Sequence, residues 1–332
     1  MTRVLRQVAF DPLGPQVHTT TVRSGRKVRY IDEGDPEWTP LVWFGGGGTS
    51  VRAFRLLEFA RTLREELRVR VISVERNGLG ETPFDPTAGY PEYAADVWAL
   101  LDQMRIGEAS LMAISGGGPY AAHVAAAAPA RVRSLHVACA FSELLGESPV
   151  PPLMEIAADP VAWWRYPPSS PVHLVPGFIE STVEEGTVAR FALGRDVPPE
   201  GLEQAIALLE TEPLPDLSGV EAPAFLYWGS DDPLVTTAHL TRWRGALPNV
   251  IHVRLYEGEG HDVQYRHWDQ ILADIAHLGE SVVVSREGAT LLVGEAEAER
   301  LLATGATLGL AAWATVSEPS EAALRPVPAD RP

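Results

Sequence analysis

The chain has 332 residues, 45% hydrophobic and 21% charged, an ordinary globular balance with apolar material for one large core or two small ones. A formal charge of −17 argues against nucleic acid and anionic lipid surfaces as partners, since both are held by neutralising phosphates with Lys and Arg. Cys139 is the one cysteine, so no intrachain disulfide is available; its apolar run VRSLHVACA (132–140) suits a buried, inert thiol in a reducing, cytoplasmic compartment.

The opening residues MTRVLRQVAFDPLG lack the continuous apolar core of a secretory signal. No stretch approaches the ~20 apolar residues of a membrane span. Residues 18–25 and 27–34 alternate polar and apolar across a single turn and predict a hairpin. PLVWF (40–44) is a short apolar run, as in a strand covered on both faces, and it stops at four glycines, Gly45 to Gly48. Apolar residues at helical spacing follow over 51–66. The alternation then repeats: strand 68–75, helix 91–104, strand 109–114, helix 115–128, strand 132–140. Strands and helices in turn, joined by short connections, predict an α/β fold with a mostly parallel sheet wound with helices on both faces.

The rhythm breaks over 142–221, which is rich in proline and holds helix-like pieces such as 198–210. It resumes with strands at 223–229 and 251–258, a helix between them and another at 267–278. The expected division is a core of 1–141 and 222–280, an inserted cap or lid of 142–221, a hairpin-helix extension of 281–316 packed on the core, and a mobile tail of 317–332. The extension reads as a hairpin around Arg286–Glu287–Gly288 and a helix over 295–305. An isolated hairpin is marginal in water, so this one must bury its apolar side. Addition to the main sheet beyond 251–258 is the expected solution; the cap or a second subunit, in a homodimer, are the others.

The strongest chemical signal is AISGGGPYA (113–121). Ser115 stands where a strand ends and a helix begins, with small residues two before and two after it, Ala113 and Gly117. This matches the nucleophile elbow G-x-S-x-G with Ala for the first glycine: a strained turn that lifts the hydroxyl above the sheet and aims the Gly116 N–H at a developing oxyanion. A serine N-cap before a close glycine approach is the structural alternative. A serine nucleophile needs a base, and the base an orienter. His261 follows Gly260 just past the last strand of the sheet, and Asp231 and Asp232 follow the strand before it.

In this order, the GGGG loop, RNGLGETP (76–83), SGGGPYA (115–121), WGSDDPLV (228–235) and EGHD (259–262) resemble the α/β-hydrolase superfamily over about residues 18–278. The resemblance implies Asp232 as the acid, counted from Gly229, with Asp231 as the fallback. It aligns Gly45–Gly48 with an H-G-x-P-G oxyanion loop and makes the Gly46 N–H the loop donor, with Gly45 the alternative. Phe44 stands where His is common and Gly47 where Pro is common. RNGLGET is similar to the R-x-G-x-G-x-S loop that walls the site, with Thr82 at its serine position. A serine at the elbow excludes the dehalogenases and epoxide hydrolases of the superfamily, which resemble one another in placing Asp there.

The reading that results is a serine hydrolase cleaving a carboxylic ester or thioester of a small, apolar or aromatic substrate through an acyl-enzyme. Its alternatives are a lyase, a cofactor-free oxygenase, a cyclase or a carbon–carbon hydrolase using the same three residues, and a non-catalytic binder. Phe44, Trp163, Trp164 and Tyr166 are the candidate pocket residues, in the oxyanion loop and the cap. No cofactor is expected, and the histidines show no metal-ligand spacing.

Overall fold

The computed structural model describes residues 3–5, 15–144 and 200–310. Among these the main sheet has eight strands in the order β2-β3-β5-β4-β6-β7-β8-β9. The strands are β2 (Val17–Thr21), β3 (Lys27–Glu33), β4 (Thr39–Phe44), β5 (Val69–Val74), β6 (Ala109–Ser115), β7 (Val132–Ala140), β8 (Ala224–Gly229) and β9 (Val250–Tyr256). The β2–β3 hairpin and the β3–β5 pair are antiparallel, and every later pair is parallel. All six residues of β5 and of β8 are buried, which is why these strands read as unbroken apolar runs.

Successive residues of β4 show the two covered faces. Trp43 packs edge-on against Phe54 at 5.5 Å, and Phe54 in turn meets Trp268. Phe44, pointing the other way, meets Tyr93. The helices over the sheet are α1 (Arg61–Glu66), α2 (Tyr90–Gln103), α3 (Gly118–Ala127), α4 (Glu200–Thr211), α5 (Thr237–Ala246), α6 (Val263–Arg266) and α7 (Trp268–His277); Tyr93 comes from α2 and Trp268 from α7. The helix predicted for 51–66 is only partly α: residues Val51–Ala60 form a 3-10 stretch. Its start is fixed from outside, the Val51 N–H donating to Glu75 Oε1 and the Arg52 N–H to Ser50 Oγ.

Chain direction places the site. After β4 the chain crosses to β5 on one side, and after β6 to β7 on the other. The point where the winding reverses therefore lies between β4 and β6, whose residues Phe44 and Ala113 are paired. Ligands of such sheets bind in the crevice outside the strand ends at this point. The Gly45–Gly48 loop and Ser115 leave the sheet there.

The chain after α7 corrects one expectation. β9 is the last strand of the main sheet, which is not extended by the hairpin. Instead β10 (Val282–Arg286) and β11 (Ala289–Val293) form a second sheet, flanked by β1 (Arg3–Leu5) on β11 and β12 (Thr307–Leu308) on β10. The hairpin turns at Glu287 and Gly288, both with positive φ (53° and 77°), the backbone of a two-residue turn that suits strand twist. The physical reason for a separate sheet is that β10 is apolar on both sides. Val283 joins the main core, whereas Val282 and Val284 cluster with Ala298 of α8 (Glu295–Leu302). Such a hairpin must lie face-on against α7, and polar ties hold it there: the Val283 N–H donates to Gln270 Oε1 and the Leu310 N–H to Asp269 Oδ2, each at 3.0 Å.

Of the expected cap, residues 145–199 lie outside the described residues, as do Trp163, Trp164 and Tyr166 within it. Residues 311–332, covering the end of the expected extension and the tail, lie outside as well. α4 is described and rests on the 76–83 loop. Asn77 Nδ2 donates to Gln204 Oε1, and a Cβ at Gly201 would stand 2.4 Å from the Gly78 carbonyl oxygen. Among the described residues, no helix is long and apolar enough to cross a membrane.

Candidate active site

Ser115 ends β6 with φ 48°, a left-handed backbone that a non-glycine residue adopts at a cost of order 1–3 kcal/mol. The turn is held by the Gly117 N–H on the Ile114 carbonyl and the Phe141 N–H on the Ser115 carbonyl. Glycines are required just beyond. A Cβ at Gly117 would stand 2.3 Å from the Phe44 carbonyl oxygen, and one at Gly118 would stand 2.0 Å from that of Phe141. The small residues in the sequence are therefore the places where the elbow touches β4 and the end of β7.

His261 arrives from the loop after β9. Its Nε2 lies 3.1 Å from Ser115 Oγ and its Nδ1 lies 2.8 Å from Asp232 Oδ2. Asp232 is buried, and its other oxygen accepts the N–H groups of Leu234 and Val235 at 2.8 Å each. Burial works against the charge of this carboxyl, but the His261 imidazole and the two backbone donors outweigh it and hold its pKa below the usual carboxylate range. A carboxylate so fixed keeps the proton on Nδ1, leaving Nε2 to accept from the Ser115 hydroxyl. Asp231 is exposed and takes Ser230 Oγ instead, so Asp232 is the acid that meets His261.

The glycine loop is gripped from beneath by a residue to which sequence reasoning gave no role. Arg76, buried at the end of β5, donates through Nη2 to the Gly46 carbonyl (2.5 Å), the Thr49 carbonyl (2.8 Å) and Thr49 Oγ1 (3.3 Å). Its guanidinium also lies over the Tyr120 ring at 5.1 Å. Beside it Glu75 is buried, and loss of hydration raises its pKa to about 8. The N–H groups of Gly46, Gly47 and Gly116 donate to no acceptor among the described residues.

Two other sequence expectations change. Phe44 is only 1% exposed and belongs to the core, so its ring supports the loop rather than lining a pocket. Cys139 is buried as expected but not remote: its backbone has φ 41°, and its thiol lies beside Asp232 and His261. Cys139, Asp232 and His261 offer ligand atoms within 4.8 Å of one another, although two of the three are already committed to each other. A cavity of about 240 Å³ opens beside the 76–83 loop, lined by Glu75, Asn77, Thr82, Tyr93 and Tyr120 among others, with Thr82 at the family's serine position.

A curated relative, the non-heme chloroperoxidase of Streptomyces lividans, is 26% identical over 277 residues, covering 77% of this chain and 97% of that protein. Among solved structures, a putative aryl esterase from Burkholderia cenocepacia superposes with a TM-score of 0.60 at 18% identity, over 79% of this chain and 97% of the other. An esterase from Exiguobacterium antarcticum does so with 0.61 at 16% identity, over 79% and 99%. The family model described as alpha/beta hydrolase fold matches residues 39–209, more than half of the chain. By that match, and by the eight-stranded sheet that carries an elbow serine at its point of reversal, the chain belongs to the α/β-hydrolase fold family.

Proposed function

We propose that the protein is a serine hydrolase that cleaves a carboxylic ester or thioester through an acyl-enzyme. The observation that carries this reading is the unbroken hydrogen-bonded chain Ser115–His261–Asp232 (3.1 and 2.8 Å) above the sheet. Ser115 Oγ attacks the carbonyl carbon while His261 Nε2 takes its proton. The negative charge that develops on the carbonyl oxygen falls to the N–H groups of Gly116 and Gly46. One such donor is worth roughly 3–4 kcal/mol. His261 then gives its proton to the leaving alcohol or thiol, and water releases the acid by the same steps in reverse. Asp232 stays ionised throughout and stabilises the imidazolium. Residues 142–221 form the cap that selects the substrate in this reading, with Trp163, Trp164 and Tyr166 as its apolar wall. A buried thiol and no disulfide suit a cytoplasmic setting.

The chloroperoxidase relative favours a second reading on the same site, in which hydrogen peroxide rather than water attacks the acyl-enzyme and leaves as a peracid. The decisive experiment is labelling with a fluorophosphonate together with turnover of a panel of short and long acyl esters, with and without peroxide. Ser115→Ala is expected to lose both the label and about 10⁶ in kcat. An unlabelled wild-type serine, or a Ser115→Ala enzyme above a tenth of the wild-type rate, would end the acyl-enzyme reading.

A further inference from the structure

The oxyanion loop departs from its family pattern at Gly47, where proline is common. Proline has no N–H to give, and glycine restores one. Four observations bear on where that N–H goes. First, the Gly46 carbonyl is taken by three donors: Arg76 Nη2 at 2.5 Å, Thr49 Oγ1 at 2.7 Å and the Thr49 N–H at 3.3 Å. No cis peptide bond is present among the described residues, so the Gly47 N–H, on the same peptide plane, points opposite to that carbonyl. Second, the Gly47 nitrogen lies only 2.7 Å from where a Cβ on Gly116 would stand. The loop therefore rests on the elbow itself, which only a glycine after Ser115 permits. Third, a Cβ on Gly47 would meet no atom of the described residues within 4 Å, so this stretch of loop is not packed against them. Fourth, the Gly47 and Gly116 N–H groups find no acceptor among the described residues.

We infer that the Gly47 N–H is a further donor of the oxyanion hole, joining Gly116 and aimed by the grip of Arg76 and Thr49 on the Gly46 carbonyl. Adjacent N–H groups left free and directed to one place make an anion-binding concavity. Here the anion is the tetrahedral oxygen formed when Ser115 attacks. The 76–83 loop thereby acts on the chemistry at one remove: Arg76 is a positioning residue that touches no substrate. This inference rests on the serine-hydrolase reading above.

The test compares Gly47→Pro with Gly47→Ala. Proline deletes the N–H and is the residue the family commonly carries; alanine keeps the N–H and its methyl meets none of the described residues. Gly47→Pro is expected to lose about 10²-fold in kcat with KM little changed, and Gly47→Ala to lose far less. A backbone ester in place of the Gly46–Gly47 amide removes the N–H without a ring, and it decides the matter should the proline variant not fold. It is expected to fall tenfold or more. Equal losses in the proline and alanine variants, or full kcat in the proline or ester variant, would overturn the assignment while leaving the hydrolase reading intact. Absence of ester turnover and of Ser115 labelling in the wild type would remove both.

Discussion

Asp232→Asn is the sharpest probe of the candidate triad, because the structure fixes what the new amide can do. The Asp232 carboxylate faces donors on both oxygens: two backbone N–H groups on Oδ1 and His261 on Oδ2. Asparagine can satisfy only one side. With its carbonyl on the Leu234 and Val235 N–H groups, its NH₂ meets His261 Nδ1 and turns that nitrogen into an acceptor. The imidazole proton then sits on Nε2, where it cannot accept from Ser115. The opposite flip restores the tautomer but sets the NH₂ against two buried donors, at about 1–3 kcal/mol for each one left unpaired. The first arrangement therefore prevails, and the rate is expected to fall by ~10⁴, as in a comparable triad. That corresponds to about 5 kcal/mol of barrier at 1.36 kcal/mol per decade. The assay is kcat/KM on an activated ester, with thermal melting to show that each variant folds. Asp231→Asn, at an exposed site, should stay within a few-fold of wild type. An Asp232→Asn enzyme above a hundredth of the wild-type rate, or equal losses at the two positions, would refute the tautomer argument.

Two further outcomes follow from groups away from the triad. Glu75 has its folded pKa raised to about 8 from an ordinary 4.5, so between these values the folded chain holds a proton that the unfolded chain has lost. Its contribution to stability is thus fully present below pH 4.5 and fades as pH rises towards 8. Glu75→Gln keeps an acceptor for the Val51 N–H and should gain stability relative to wild type through that window, read as a melting-temperature difference that grows from pH 5 to 8; a flat difference would contradict it. Truncation after Gly279 removes Val283 and Leu310 from the core and leaves Asp269 and Gln270 of α7 without their partners in the second sheet. With ~1.5–3 kcal/mol for each buried aliphatic side chain, the loss should exceed about 3 kcal/mol in a urea titration; a truncated chain as stable as the whole would show that the second sheet does not support α7.

What was legible in the sequence was what leaves a local trace. Strands covered on both faces are apolar runs, so β4 to β8 could be placed, and an elbow needs small residues at fixed offsets, so Ser115 stood out. His261 and the aspartate pair could be found from the strand ends. Lateral contacts leave no such trace. Nothing in RNGLGET says that Arg76 binds the carbonyls of a loop some thirty residues earlier. Nothing in VRSLHVACA says that the Cys139 thiol comes to lie beside Asp232 and His261. The hairpin of 281–294 was evident from its turn, but the surface it meets depends on which of its faces finds a partner, and both do. RVL at residues 3–5 is too short to carry a periodicity, so β1 had no signal of its own.

The pairing of β1 with β11 also sets a schedule. Arg3 lies opposite Leu292, so almost the entire chain is looped between the two strands. Such a closure is entropically expensive and slow, and it yields no contact until the intervening domain has shortened the distance. On the ribosome β1 emerges long before its partner is made. Its backbone donors and acceptors stay unpaired until β11 follows, an open edge that other chains can meet. The second sheet is therefore a seal added after the main sheet, and a nascent chain stalled before residue 290 would have its main sheet and elbow already made while β1 still waited.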